Sequence, residues 1–249
     1  MGKSDAQVVF GIRSVIEAIR SGKEIEKILV RRDLRGETVH ELLTLTRKEK
    51  IPVQYVPVEK LNRITRKNHQ GILAFISVIE YTRIDDLVPS LYENGRPPFL
   101  VMLDGVTDVR NLGAIVRTAE SAGVHGMILP QKRSSMLTAD TIKTSSGALY
   151  HLPVCRTDSV KEILNYLRES GLQLVAASEN AEKSFFEIDF IPPTLIILGA
   201  EDKGVSMEVL KGVDALVKIP MAGQIGSLNV SAAAAVLLYE VVRQRAQSE

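Results

Sequence analysis

The chain has 249 residues, 45% of them hydrophobic and 24% charged, with a formal net charge of +1, the balance of an ordinary globular protein of one large domain or two unequal ones. A single cysteine, Cys155, excludes a disulfide framework and a cysteine-based metal site and fits a reducing cytoplasm. The N-terminus shows no signal-peptide pattern, and no uncharged apolar run is long enough to span a bilayer.

The small net charge hides an asymmetry. Residues 1–80 carry 15 Lys and Arg against 10 Asp and Glu, a net of +5, and the remainder carries a net of −4. A basic N-terminal part can steer toward a polyanion, although five excess charges on a solvated domain are also commonplace.

In chain order, Val9, Ile12, Ile16 and Ile19 fall at helical spacing. Strands are expected over 27–30, 52–56 and 71–78 and a helix over 37–50, which together make a small α/β domain over 1–79. Residues 80–98, with Pro89, Gly95, Pro97 and Pro98, read as a linker holding a short helix over 84–92. A second alternation fills 99–249. Strands are expected over 99–103, 127–129, 151–154, 172–176, 194–198 and 215–219, and main helices over 111–122, 159–169 and 229–245. Short apolar strands separated by helices indicate a mostly parallel sheet covered on both faces.

Ligands of such sheets bind beyond the carboxyl ends of the strands, and three segments there carry polar groups. After the first strand of the larger domain, Asn111 can cap a helix whose buried face is Leu112, Ile115, Val116 and Ala119, with Arg117 on a more polar face beside Glu120. No dinucleotide fingerprint follows this strand. In 195–206, Gly199 and Gly204 bracket Glu201 at a strand end. In 217–235, Met221 and a glycine-rich loop lead to Ser227, Leu228 and Asn229, where Ser227 and Asn229 can cap an alanine-rich helix. Taken singly these are ordinary structure: a capped amphipathic helix, a solvated turn and a packed core helix.

In order, N-x-G-x-x-x-R-T-A (111–119), L-G-A-E-x-x-G (198–204) and I-P-M-x-G…S-L-N-V-S (219–231) resemble the three signature motifs of the SpoU/TrmH family, the knotted SPOUT-type RNA ribose methyltransferases. The Val-Phe-Gly opening and Asn68-His69-Gln70-Gly71 resemble the substrate domain of its RlmB-like branch, which methylates a guanosine 2′-hydroxyl in 23S ribosomal RNA. The resemblance implies a trefoil-knotted parallel sheet preceded by an L30e-like RNA-binding domain, and a homodimer with the active site at or near the subunit interface. It implies S-adenosylmethionine as cofactor, held by Gly199, Ile219 and Leu228 with Met221 nearby. Catalytic residues would be Arg117, Asn111, Glu201, Ser227 and Asn229. A guanidinium keeps its proton in proteins, so Arg117 is expected to bind a phosphate or stabilise a developing alkoxide. The proton would go to Glu201 or a substrate phosphate, while Asn111, Ser227 and Asn229 orient Arg117 and the ribose. RNA contacts are expected at Arg63, Arg66, Lys67, Asn68 and His69. The apolar stripe Val230, Ala234, Leu237, Leu238 and Val241 suits either a dimer interface or the core. His40, His125 and His151 show no metal spacing. Other readings are a tRNA ribose methyltransferase, an antibiotic-resistance methyltransferase, and a non-catalytic RNA-binding assembly factor.

Overall fold

The computed structural model describes residues 8–131 and 133–248. Two compact units result: one runs to Glu80 and takes in Met136–Asp140, and the other holds Tyr81–Ser135 and Thr141–Glu249.

The first unit runs β1 (Val8–Phe10), α1 (Ile12–Arg20), β2 (Ile25–Arg31), α2 (Glu37–Lys48), β3 (Val53–Val56), α3 (Val58–Ile64) and β4 (Ile72–Ile76). Its sheet has the order β1-β4-β2-β3. β4 is antiparallel to both β1 and β2, and β2 is parallel to β3. One face packs Ile28, Val30, Ile72 and Ala74 against Val15, Ile16 and Ile19 of α1 and Leu42 of α2. Leu29, Leu73 and Phe75 on the other face meet Leu61 of α3. Val9, expected on the first helix, is in β1 instead. Gly11, at φ +88, turns the chain between the two elements, and three residues are too few to show strand alternation. α3 was not anticipated either.

In the second unit, apart from the first two residues of α6, follow α4 (Ile84–Glu93), β5 (Phe99–Asp104), α5 (Val109–Ser121), β6 (Gly126–Pro130), α6 (Ala139–Thr144), β7 (Val154–Thr157), α7 (Val160–Glu169), β8 (Gln173–Ala177), β9 (Lys183–Ser184), β10 (Thr194–Gly199), α8 (Met207–Gly212), β11 (Ala215–Lys218) and α9 (Val230–Ala246). The seven strands form one sheet in the order β7-β6-β5-β10-β8-β11-β9, and every pairing is parallel. Leu100, Met102, Leu195 and Ile197 pack with residues of α4, α7 and α8 on one face. Alternate residues point the opposite way, where α9 packs against β10 and α5. The stretch expected as a linker thus contains a helix whose Val88 and Leu91 lie in the core of this unit. The strand expected over 151–154 begins only at Val154, because Pro153 has no N–H to give a ladder. Among the described residues, no helix is long and apolar enough to cross a membrane.

Candidate active site

The order in which strands are added reverses beside β5: β6 and β7 lie on one side of it and the later strands on the other, next to it β10, whose last residue, Gly199, stands opposite Asp104 of β5. Crevices at such reversals are where open parallel sheets bind ligands. Beside this one, loops after β8, β10 and β11 enclose a cavity of about 300 Å³, the lower end of the range for small-molecule sites. Gly199, Glu201, Ile219, Met221, Ser227 and Leu228 all line it. Leu198, Val217, Ile219 and Leu228 supply apolar lining, and Ser178, Asn180, Glu201 and Ser227 are among the polar residues. This mix of apolar wall and polar edge suits a nucleoside-bearing ligand such as the expected S-adenosylmethionine.

Gly199 is required by close packing, not by its backbone angle. A Cβ there would stand 2.1 Å from the Gly204 carbonyl carbon and 2.3 Å from Val205 N. The loop between is closed by Ala200 N donating to Gly204 O at 3.0 Å and Gly204 N donating to Ala200 O at 2.8 Å. Gly204 itself has φ +63, the left-handed conformation that glycine tolerates best.

Asn229 joins three parts of the site. Its side-chain oxygen accepts from Ser231 N at 2.9 Å, so it is the N-cap of α9. Its amide nitrogen donates to Asn111 Oδ1 at 3.1 Å and to Glu201 Oε1. The helix terminus brings partial positive charge to the same place. The expectation that Asn111 caps α5 is corrected: Asp108 is the cap, accepting from the backbone N–H groups of Arg110 and Asn111 at 2.8 and 2.9 Å. Asn111 therefore lies in the first turn with its side chain free to meet Asn229. Ser227 lines the cavity, but Asn229 alone caps α9.

Arg117 is not part of this cluster. Six residues along a helix is about 9 Å and about 120° around the axis from Asn111, and Arg117 does not line the cavity. Its guanidinium Nη1 donates to Ser146 Oγ at 3.3 Å. The expected pairing with Glu120 is thereby corrected, and within one chain Asn111, Ser227 and Asn229 are not brought to Arg117. Those residues are committed to other partners or stand at the cavity, and Ser146 is the group within reach.

Two features were missed in the sequence. Asp104 is 2% exposed at the end of β5. It accepts from Ser206 N at 2.7 Å and faces Arg133 at 3.5 Å, holding the far end of the loop that carries Glu201. A carboxylate closing an apolar strand was its visible signal. Ser178, Glu179 and Asn180, just after β8, also line the cavity. The strand was expected, but the residues following it carry no motif.

In the first unit, Arg63, Arg66, Lys67 and Asn68 are exposed between the last turn of α3 and β4. Lys67 Nζ lies 5.5 Å from the centre of the Phe10 ring. His69 differs: it is 8% exposed, its Nε2 contacts Asn62 Oδ1 at 2.9 Å and its Nδ1 accepts from Gly71 N at 3.0 Å. With both ring nitrogens occupied, His69 holds the loop and presents no free edge to a base. The stripe Val230, Ala234, Leu237, Leu238 and Val241 is buried within the chain, so it is core.

Sequence comparison matches residues 98–239 to the SpoU rRNA Methylase family and residues 8–82 to a domain described as RNA 2′-O ribose methyltransferase substrate binding. YacO of Bacillus subtilis, named for the TrmH family of tRNA/rRNA methyltransferases, is 36% identical over 237 residues, 95% of each chain. Among solved structures, the SpoU methyltransferase AviRb from Streptomyces viridochromogenes, in complex with AdoMet, is 29% identical. It covers 96% of this chain and 90% of its own, with a TM-score of 0.61. An AdoMet-bound rRNA methyltransferase from Sinorhizobium meliloti is 27% identical, covering 95% of this chain and 86% of its own, with a TM-score of 0.60.

Proposed function

Since the chain belongs to the SpoU/TrmH family of S-adenosylmethionine-dependent RNA methyltransferases, we propose that it methylates the 2′-hydroxyl of a guanosine ribose in 23S ribosomal RNA, as the RlmB-like branch does. The observation that carries this reading is the cavity beyond β10 and β11, with the Asn111–Asn229–Glu201 cluster beside it. In support of a ribosomal target stand the match to an rRNA methylase family and the likeness of a solved rRNA methyltransferase over nearly the whole chain. The loops of 199–206 and 218–229 would be the crossing loops of the family's trefoil knot, and the first unit its L30e-like substrate domain.

S-adenosylmethionine supplies a methyl group already activated for displacement. What remains for the protein is to place the ribose hydroxyl in line, take its proton and steady the negative charge on its oxygen. Gly199, Ile219, Met221 and Leu228 would hold the cofactor. Asn229 holds Glu201 through one carboxylate oxygen, leaving the other for the proton. Asn111 fixes the Asn229 amide from the far side, and Ser227 can contact the ribose from the cavity wall. Arg117 brings a fixed positive charge for the target phosphate or the alkoxide. Because it stands away from its own chain's cavity, we assign it to the cavity of a partner copy in a homodimer. Exposed Val236 and Tyr239 on α9 are apolar surface such a partner would cover. Arg63, Arg66, Lys67 and Asn68 would contact RNA phosphates and unstacked bases.

The test incubates the protein with radiolabelled S-adenosylmethionine and either large-subunit ribosomal RNA or tRNA from methylation-deficient cells, with Arg117→Ala alongside. Label on ribosomal RNA that is lost in the variant, and that nuclease mapping assigns to one guanosine ribose, is the expected result. Label on tRNA alone would overturn the target, and label on a base would overturn the ribose assignment.

A further inference from the structure

We infer that Ser146 is a positioning residue for Arg117, set by a notch one helical turn away; this rests on the reading of Arg117 as a group that acts on the RNA. Gly113 and Arg117 are four residues apart on α5 and therefore lie on the same face. At Gly113 a Cβ would stand 2.0 Å from Thr144 Oγ1 and 2.6 Å from Thr144 Cβ, so the last residue of α6 sits directly against the α5 backbone. Thr144 Oγ1 lies within 3.3 Å of Val109 O and 3.2 Å of Thr141 O, tying the end of α6 to the first turn of α5. The turn that follows is anchored too. Ser145 is fully buried, with its hydroxyl on Ile142 O at 3.0 Å, and Ser146 N and Gly147 N close onto Lys143 O and Ile142 O at 3.1 and 2.9 Å.

Ser146 leaves this anchor at φ +53, followed by Gly147 at φ +86. Glycine or asparagine would adopt the first of these more readily than serine. What serine adds there over glycine is its hydroxyl, which accepts from Arg117 at 3.3 Å. That bond tethers an otherwise exposed guanidinium. An arginine side chain samples many rotamers, and one bond at its tip selects among them. With one N–H donor so engaged, four remain to meet an anionic group. Gly113 sets where the turn sits, the turn sets where Ser146 points, and Ser146 sets the direction of Arg117.

Ser146→Gly removes the hydroxyl while easing the left-handed backbone. Ser146→Asn keeps an acceptor and tolerates that backbone. Both are compared with the native protein and Arg117→Ala for kcat and KM on the RNA that accepts label, for S-adenosylmethionine affinity by calorimetry, and for melting temperature. For Ser146→Gly the expected result is an unchanged or higher melting temperature, unchanged cofactor affinity and a kcat lower by about fivefold, which is about 1 kcal/mol at 1.36 kcal/mol per tenfold. Ser146→Asn should recover most of that loss. A native kcat in Ser146→Gly, with Arg117→Ala inactive, overturns the role of Ser146 alone. Equal losses in the glycine and asparagine variants also overturn it, because the hydroxyl's role as acceptor would then not matter. Full activity in Arg117→Ala overturns the reading of Arg117 and this inference with it.

Discussion

Replacing Gly199 with alanine tests whether the loop after β10 is built around a missing side chain. The new Cβ would meet the Gly204 carbonyl carbon at 2.1 Å, Val205 N at 2.3 Å and Gly204 O at 2.4 Å, where ordinary contact begins at 3.4 Å. All three atoms are backbone, so no side chain can swing aside. The loop must retreat by about 1 Å, the kind of overpacking that costs about 1–3 kcal/mol. It must also stretch the two Ala200–Gly204 bonds, each contributing about 1 kcal/mol. A total of roughly 2–4 kcal/mol follows. Since the loop forms one wall of the cavity and carries Glu201, most of that cost falls on the ligand. S-adenosylmethionine should bind about a hundredfold more weakly, equivalent to about 2.7 kcal/mol. Any share left in the ligand-free protein should lower its melting temperature by about 2–4 °C per kcal/mol. Gly204→Ala is the control: nothing lies within 4 Å of its Cβ, and its φ of +63 is the single obstacle, so affinity should fall far less. Calorimetric titration and thermal melts read both quantities. If Gly199→Ala binds and melts like the native protein, the account of a tight loop shaping the cofactor site is wrong.

The same variant serves a mixing experiment. If Arg117 acts on a partner's cavity in a two-fold dimer, then Arg117→Ala and Gly199→Ala, refolded together in equal amounts and assayed at a cofactor concentration too low to fill the Gly199→Ala cavity, should recover up to about a quarter of native activity; no recovery would place Arg117 at its own chain's site. A third expectation concerns pH. Burial, then Arg96 and Arg245, push His125 down to about 4, while its Nδ1 accepts from Phe99 N at 3.1 Å. The unfolded chain therefore binds the extra proton between pH 6.5 and about 4, so stability is complete above 6.5 and is lost as pH falls toward 4. His125→Asn, which keeps an acceptor for Phe99 N, should flatten the fall in melting temperature between pH 7 and 5; parallel falls would refute the assignment.

The buried strands were legible because their apolar runs have a direct physical cause: Leu100–Leu103 and Leu195–Leu198 are covered on both faces. Their order was not. No periodicity says that β8 lies between β10 and β11, since a strand's hydropathy records burial and not its neighbour. β1 escaped for a related reason, as its pairing with β4 links residues more than sixty apart. Among the site residues, Gly199, Ile219, Met221 and Leu228, named from the family resemblance, line one cavity. The fine assignments went astray where two residues compete for one role. Asp108 and Asn111 are both good caps, and the geometry that favours Asp108 appears only with backbone angles in hand. Ser146 could not be found in advance, because its importance rests on a left-handed turn packed against Gly113.

The competition for the cap of α5 has a consequence for the site. A side chain engaged in capping points its oxygen at its own helix and has little left for another element. If Asn111 held the N-cap of α5, its Oδ1 would serve Ala114 or its neighbours, and the Asn229 amide would lose its anchor. Asp108 takes that duty, leaving Asn111 free one turn in. At α9 the arrangement is different: Asn229 caps with its oxygen and spends its amide nitrogen on Asn111 and Glu201. Among the good caps, asparagine keeps two N–H donors after its oxygen is used, one for each partner, where a serine or threonine hydroxyl has a single O–H. Aspartate could cap α9 equally well but would set a second carboxylate against Glu201, and serine would be too short to reach both partners. The residue type at 229 is thus determined by the two tasks together, which is why capping preference alone could not have identified it.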